Sequence, residues 1–167
     1  MERYLRICSC LLFASILMLS GNINDGLAQE RKLTLNELTD NSELIVEGKV
    51  TNRRSEWNTD QTRIYTHVTI AVDQYLKGAN PEQSVMVTHL GGEIGEVGEI
   101  YSGAARFVDD EEVLVFLKKD PQGRLEVSGA SQGKFSISRD QTTGERMVGK
   151  NKPLRAFREE IRRIVVK

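Results

Sequence analysis

Apolar and polar residues alternate along much of the chain, and this alternation predicts a domain built from short β-strands. The longest run is segment 64–72, whose even-numbered residues share one face and are apolar apart from Thr66. A period of two is the repeat of a strand with one buried face. Segment 112–118 is apolar on both faces, as in a central strand covered on both sides. Further strands are predicted at 44–50, 84–90, 125–127, 134–138 and 147–148.

The first of these strands allows a more detailed prediction. In segment 44–50, Val46 and Val50 are expected to point inward, and Glu47 and Lys49 are expected to point outward.

Two helices are predicted at the ends of the folded chain. Thr34 and Glu37 have the spacing of a capping box, which predicts a short helix over 33–38. Segment 153–166 repeats apolar residues at helical spacing, and Pro153 suits a first helical turn. Its apolar positions are Leu154, Phe157, Ile161, Ile164 and Val165, and its polar side carries Arg158, Glu159, Arg162 and Arg163. The helix is expected to cover one end or face of the sheet.

Short strands separated by polar turns, without alternating helices, predict a mainly β fold. A small closed or partly open antiparallel β-barrel is favoured over a sandwich, because closure removes exposed strand edges. Residues 29–167 are expected to form this single domain, including the C-terminal helix.

The first 28 residues follow the pattern of a secretory signal peptide. Arg3 and Arg6 precede the apolar segment 7–19, and Gly26 and Ala28 place small residues at a cleavage site. An uncleaved anchor is the alternative, but this apolar segment is shorter than the roughly 20 residues of a membrane span. Both cysteines lie at positions 8 and 10, so the mature chain would have no disulfide and no thiolate chemistry.

Charge argues against two classes of partner. The formal net charge is −1 and the pI is about 6.2. Proteins that neutralise phosphates are normally basic, so neither nucleic acid nor an anionic lipid surface is an expected partner. No stable membrane insertion is expected after cleavage, and the product is expected to be periplasmic or extracellular.

Six segments carry a family resemblance: 44–50 (LIVEGKV), 75–78 (YLKG), 91–92 (GG), 106–107 (RF), 111–117 (EEVLVFL) and 132–135 (QGKF). In this order they resemble a group of exported bacterial proteins of unassigned function, often encoded near matrixin-like metalloproteases. The resemblance implies an OB-like barrel, similar to the netrin-like module of tissue metalloprotease inhibitors, and makes a secreted metalloprotease a candidate partner. Those inhibitors chelate the protease zinc through an N-terminal cysteine, which this mature chain would lack, so their mechanism does not carry over.

Arginine and tryptophan meet in the polar segment 53–61, which is predicted to be a loop. Arg53, Arg54 and Trp57 have the composition of an interface hot spot. The alternative is a tryptophan that folds back over the core.

A second candidate surface is the repeat Gly-Glu-Ile, Gly-Glu-Val, Gly-Glu-Ile at 92–100. Glu93, Glu96 and Glu99 would share one side of a polyproline-like path, whereas Glu96 would face away from the others in a flat strand. We expect either an acidic edge that binds a partner or cation, or a mobile loop whose charges prevent aggregation.

Candidates for metal binding are weak. His67 and His89 lie on predicted strands without a ligand spacing, and His67 is expected to point to solvent, opposite Val68 and Ile70. Ordinary surface or hydrogen-bonded histidines are the alternative. The acidic run 109–112 is predicted to be a solvated turn.

No catalytic residues are predicted, because the chain has no Gly-x-Ser-x-Gly elbow and no His-Glu-x-x-His motif. A carboxylate pair stays open, but it needs a cleft that a domain of this length is not expected to form. The leading hypothesis is therefore an exported, non-catalytic protein-binding module without a cofactor. A metal- or small-ligand-binding protein and a carboxylate-based hydrolase are the alternatives.

Overall fold

The period-two segments form the strands of a mainly β fold. The computed structural model describes residues 31–79, 81–149 and 152–167; the predicted signal segment 1–28 lies outside them. The strands are β1 (Leu44–Trp57), β2 (Ile64–Lys77), β3 (Ser84–Leu90), β4 (Gly92–Ile94), β5 (Val97–Glu99), β6 (Glu112–Lys119), β7 (Leu125–Val127), β8 (Lys134–Arg139), β9 (Arg146–Val148) and β10 (Lys152–Pro153). The helices are α1 (Leu35–Asp40), a 3₁₀ turn (Ala130–Gly133) and α2 (Leu154–Val165).

Five of the strands form a ring in the order β1-β2-β3-β7-β6, and β6 pairs again with β1. All of these pairs are antiparallel except β3–β7, which is parallel and rests on the single partner pair Val87 and Leu125. The second edge of β6 also bonds β8, from which β9 and β10 extend the sheet. The prediction of a small, partly open OB-like barrel is confirmed.

Strand β1 is longer than predicted, and the loop prediction for segment 53–61 is wrong over its first half. The pairing with β2 shifts between Val50 and Asn52 and then continues without a break to Trp57. This bulge inserts one residue, so the inward positions change from even to odd numbers. The change of phase hides the alternation in the sequence. The turn that follows is held by Asn58, whose side-chain oxygen accepts bonds from the amides of Thr62 and Arg63.

Two apolar layers lie on the two faces of the sheet. One fills the barrel, and the other lies between the outer face of the barrel and the helices. Strand β6 contributes to both, as its double-sided apolar sequence predicts. The inner layer includes Val46, Val50, Val68, Ile70, Val85, Val87, Phe107, Val113, Val115 and Leu117. The outer layer includes Leu38, Ile45, Leu114, Phe116, Leu154, Phe157 and Ile161.

Both predicted helices are confirmed, with small shifts. The capping box is present, because the Glu37 amide donates to the Thr34 hydroxyl and the Thr34 amide donates to the Glu37 carboxylate. Helix α2 buries the apolar stripe that contains Phe157 and Ile161, whereas Val165, its last residue, is 37% exposed. In the part of the chain that the structure describes, no helix has the length and apolarity to cross a membrane.

The prediction that Glu47 points to solvent is wrong, because α2 covers that face of β1. Glu47 is fully buried. Its carboxylate accepts two bonds from Arg158 of α2, at 2.7 and 2.5 Å, and one from Gln74 at 2.9 Å. Arg146 lies 3.1 Å away. Arg158 was expected on the solvent side of the helix, but it turns inward and compensates the buried charge.

Candidate binding cleft

A cleft of about 480 Å³ opens at the end of the barrel where β1 runs beyond its bulge. The expectation that a domain of this length would not form a sizeable cleft is therefore wrong. Its walls come from the second half of β1, the neighbouring part of β2, the end of β3, the β4–β5 hairpin and segment 100–107. It is lined by Arg53, Ser55, Thr66, His89, Leu90, Gly91, Gly92, Glu93, Glu99, Ile100, Tyr101, Ala104, Ala105, Arg106 and Phe107.

The β1 wall of the cleft consists of alternate residues. Arg53, Ser55 and Trp57 lie opposite residues 68, 66 and 64 of β2, which are buried. Residues directly opposite each other in an antiparallel pair share a face, so these three side chains point to the barrel side. The Ser55 and Thr66 hydroxyls lie 3.0 Å apart, as that placement requires. Arg53 and Ser55 line the cleft, whereas Trp57, the last residue of β1, is outside the lining and keeps 38% of its surface exposed.

Arg53 holds the segment that closes one side of the cleft. Its Nε and Nη2 donate to the Asp109 carboxylate at 2.8 and 3.1 Å, and its Nη1 donates to the Phe107 carbonyl oxygen at 2.9 Å. Hydrogen bonding from Arg53 lowers the pKa of Asp109. Arg53 therefore positions this wall and has few donors left for a ligand. Arg54 points to the opposite face, where it pairs with Glu56.

The acidic repeat forms the β4–β5 hairpin, in which the three glutamates have different surroundings. Glu99 accepts bonds from the Ile64 amide at 2.8 Å and from Arg63 at 2.9 Å. The bond from the Ile64 amide is the largest cause of a lowered pKa of Glu99, and the bond from Arg63 is the next. Glu96 is exposed in the turn, and Glu93 lies opposite Gly98, on the hairpin face away from Glu99. The repeat therefore does not form one acidic surface, and it does not bring Glu93 and Glu99 together as a carboxylate pair.

Glycine is required where the hairpin meets the barrel. A Cβ on Gly92 would lie 2.3 Å from the Thr66 hydroxyl oxygen and 2.4 Å from that of Ser55. Its φ of 146° is also one that other L-residues rarely adopt. The sequence repeat is thus explained in part by close backbone approach.

The two histidines lie on opposite faces of the sheet. His89 faces the cleft, stacks on Phe107 with ring centroids 6.4 Å apart, and has Nδ1 2.9 Å from the Leu90 carbonyl oxygen. His67 is on the outer face, between the Thr88 hydroxyl and the Glu56 carboxylate, each 3.0 Å away. Its side chain is only 16% exposed, so the expectation that it points to solvent is wrong. Among the described residues no group of three or more His, Cys, Asp and Glu could hold a metal ion.

Charges on the remaining walls are unequally compensated. Arg106 lines the cleft and is exposed, and no residue of the described ranges pairs with it. The acidic run 109–112 is instead distributed over the barrel and largely neutralised: Asp110 pairs with Lys49, Glu111 with Lys134 and Glu112 with Arg146. Only its first half is a turn, since Glu112 begins β6.

Several cleft residues were not identified as site residues from the sequence: Ser55, Tyr101, Arg106 and Phe107. Arg106 and Phe107 form one of the segments that carry the resemblance, which was a usable signal. Ser55 offered none, because its place depends on the bulge in β1.

The fold and the cleft together define a small OB-like barrel with one open end. Searches with this chain against protein-family models and curated proteins give no match.

Proposed function

We propose that this chain is a non-catalytic binding module that holds another protein at the open end of its barrel. The observation that carries the proposal is the rim of the cleft. Ile100 is 83% exposed and lines the cleft, and Val97 (50% exposed) and Trp57 (38% exposed) lie outside its lining on strands that contribute to its walls. Exposed apolar patches with polar surroundings mark protein interaction sites, and aromatic side chains are enriched there.

The frame of this rim is fixed before a partner arrives. Arg53 ties segment 107–109 to β1, and Glu99 ties the hairpin to the start of β2. A preorganised surface loses less conformational entropy on binding. Such bonds therefore favour recognition by a rigid surface over folding on contact.

Export and the identity of the partner are parts of the same proposal. The charged start, apolar segment and small residues of 1–28 support passage out of the cytoplasm. The resemblance to proteins often encoded beside matrixin-like metalloproteases makes a secreted metalloprotease the first partner to test. The cleft supplies the recognition surface in place of a zinc-chelating cysteine.

The experiment is a quantitative binding assay with the full chain carrying a C-terminal tag. Secreted proteins that it retains are purified and titrated back by calorimetry. We expect a 1:1 complex that Trp57→Ala and Ile100→Ser each weaken at least tenfold. Met86→Ser is the matched control, because Met86 is a large apolar side chain, 57% exposed, on β3 and not in the cleft lining. A complex that all three substitutions leave unchanged would refute this surface, and no complex would refute the function.

A second candidate function is the binding of a small organic ligand. The cleft volume of about 480 Å³ falls in the range of small-molecule sites, roughly 300–1,000 Å³. A ligand screen by nuclear magnetic resonance would move the Ser55, His89 and Arg106 resonances together. Shifts scattered over the surface, or none, would remove this candidate.

A further inference from the structure

The second half of β1 has one unpaired edge. Strand β6 covers the edge of β1 only from Leu44 to Lys49, and the last backbone bonds on that side join Val50 to Asp110 and Glu111. Beyond the bulge, β1 pairs with β2 alone as far as Trp57. In the described part of the chain no strand lies against this edge.

The register shows which backbone groups the edge presents. The Asn58 amide donates to the Arg63 carbonyl oxygen, so the pair 58–63 is a hydrogen-bonded pair of the ladder. Hydrogen-bonded and non-bonded pairs alternate in an antiparallel ladder. Arg53, Ser55 and Trp57 therefore belong to non-bonded pairs, and their N–H and C=O groups point away from β2. None of these backbone groups bonds another described residue.

Arg53 and Ser55 line the cleft, and Trp57 lies on the same face of the strand. A strand added to this edge would lie beside the opening, with every second side chain directed into it. Arg106 lines that opening as a cation without a partner among the described residues. The free edge of β1 therefore offers N–H and C=O groups for pairing with another strand, and Arg106 offers a positive charge to a carboxylate.

We propose that the partner docks by strand addition: an extended segment pairs with the free edge of β1 at Arg53–Trp57 and directs an acidic side chain toward Arg106. This inference rests on the proposed function and names the class of partner. Main-chain bonds supply affinity in this mode, and alternate side-chain pockets supply specificity. The charges of Arg54 and Glu56 on the outer face discourage indiscriminate pairing of the edge.

The first experiment uses a phage-displayed library of linear heptapeptides against the immobilised full chain. Recovered peptides are synthesised with single N-methyl groups at successive positions. We expect acidic peptides, and a loss of binding of at least tenfold at every second position only. Loss without this period-two pattern, or no peptide above background, overturns the inference. The full-protein titration described above still tests the proposed function on its own.

The second experiment alters the edge itself. Ser55→Pro removes one outward N–H and no bond of the β1–β2 ladder, whereas Ser55→Ala keeps that N–H. The peptide should lose at least tenfold in affinity for Ser55→Pro and less than threefold for Ser55→Ala. Arg106→Gln should weaken the binding of acidic peptides, and it should not change the binding of peptides in which the acidic side chain is replaced by its amide. Circular dichroism and thermal unfolding check that each variant is folded.

A measurement without substitution keeps the inference testable if Ser55→Pro does not fold. In hydrogen exchange, the peptide should slow the amides of Ser55 and Trp57, while those of Arg54 and Glu56, already bonded to β2, should not change. Equal slowing of all four overturns the inference. A concentration-dependent dimer with the same protected amides would also overturn it, by assigning the edge to a second copy of the chain.

Discussion

The two halves of β1 belong to one continuous strand, yet they have opposite surroundings. From Leu44 to Val50 the strand has neighbours on both edges and packs one face into the barrel interior, and on the other face Ile45 and Glu47 are buried beneath the outer layer that includes α2. From Asn52 to Trp57 it has one neighbour, and it borders an open cleft. The first half contains the fully buried Glu47, and the second half is mostly exposed.

The difference shows that a single inserted residue separates the buried half of β1 from its exposed half. The bulge after Val50 changes which side chains face inward and carries the strand past its β6 neighbour. Before it, polar groups are compensated inside the protein. After it, alternate side chains face an open cleft, and one edge of the strand has no neighbouring strand among the described residues. Each of the following substitutions or conditions perturbs one side of this contrast.

The largest effect is expected for Arg158→Met, which removes the main cation from buried Glu47. Breaking a buried ion pair from one side leaves an uncompensated charge, so unfolding free energy should fall by about 3 kcal/mol. Urea unfolding measures this change. Arg155→Met, on the same helix and 89% exposed, is the control and should change stability by less than about 0.5 kcal/mol. Equal effects would show that α2 is not held through Glu47.

A smaller loss is expected for Gly92→Ala at the cleft. The new methyl group would overlap the Ser55 and Thr66 hydroxyls, and a forced contact of this kind costs about 1–3 kcal/mol. Thermal unfolding gives the stability change, and the Ser55 and Thr66 amide resonances should shift. Gly98→Ala in the same hairpin is the control, because its Cβ would find its nearest neighbour at an ordinary 3.6 Å. Similar behaviour of both variants would contradict the close approach.

Acid should weaken the bond between the Glu99 carboxylate and the Ile64 amide, which joins the hairpin to the start of β2. The pKa of Glu99 is lowered in the folded protein, so its contribution is complete above the unfolded pKa of about 4.3 and is lost as the pH falls through the lower folded value. Exchange of the Ile64 amide, corrected for intrinsic rate, should be constant near neutral pH and accelerate at acidic pH. The Gln61 amide, which donates to the Asn58 carbonyl oxygen, is the internal control. In Glu99→Gln this acid step should disappear; its persistence would assign it elsewhere.

The smallest effect is expected for Arg54→Gln on the outer face of the exposed second half of β1. Its partner Glu56 and Arg54 itself are well exposed, so the pair should contribute at most about 0.5 kcal/mol. Chemical denaturation in low and high salt measures it. A loss above 1 kcal/mol would mean that the two halves of β1 are not as different as their burial indicates.

Local patterns predicted the elements that depend on local rules. The capping box of Thr34 and Glu37, the double-sided strand β6 and the amphipathic α2 are all confirmed. The burial of Glu47 and the cleft face of Ser55 were missed. Glu47 is buried because it pairs with Arg158, and the side chain of Ser55 lies beside that of Thr66. Neither approach can be inferred from the residues next to Glu47 or Ser55 in the sequence.

The sequence by itself determined the mainly β composition and the apolar faces of most strands, because the period of the side chains acts between near neighbours. It also determined that the described domain contains no cysteine. Only the tertiary structure decided where the ring closes, which charge is buried and where an edge stays free. Those outcomes depend on register, and one bulged residue in β1 exchanges the faces of everything that follows it in the strand.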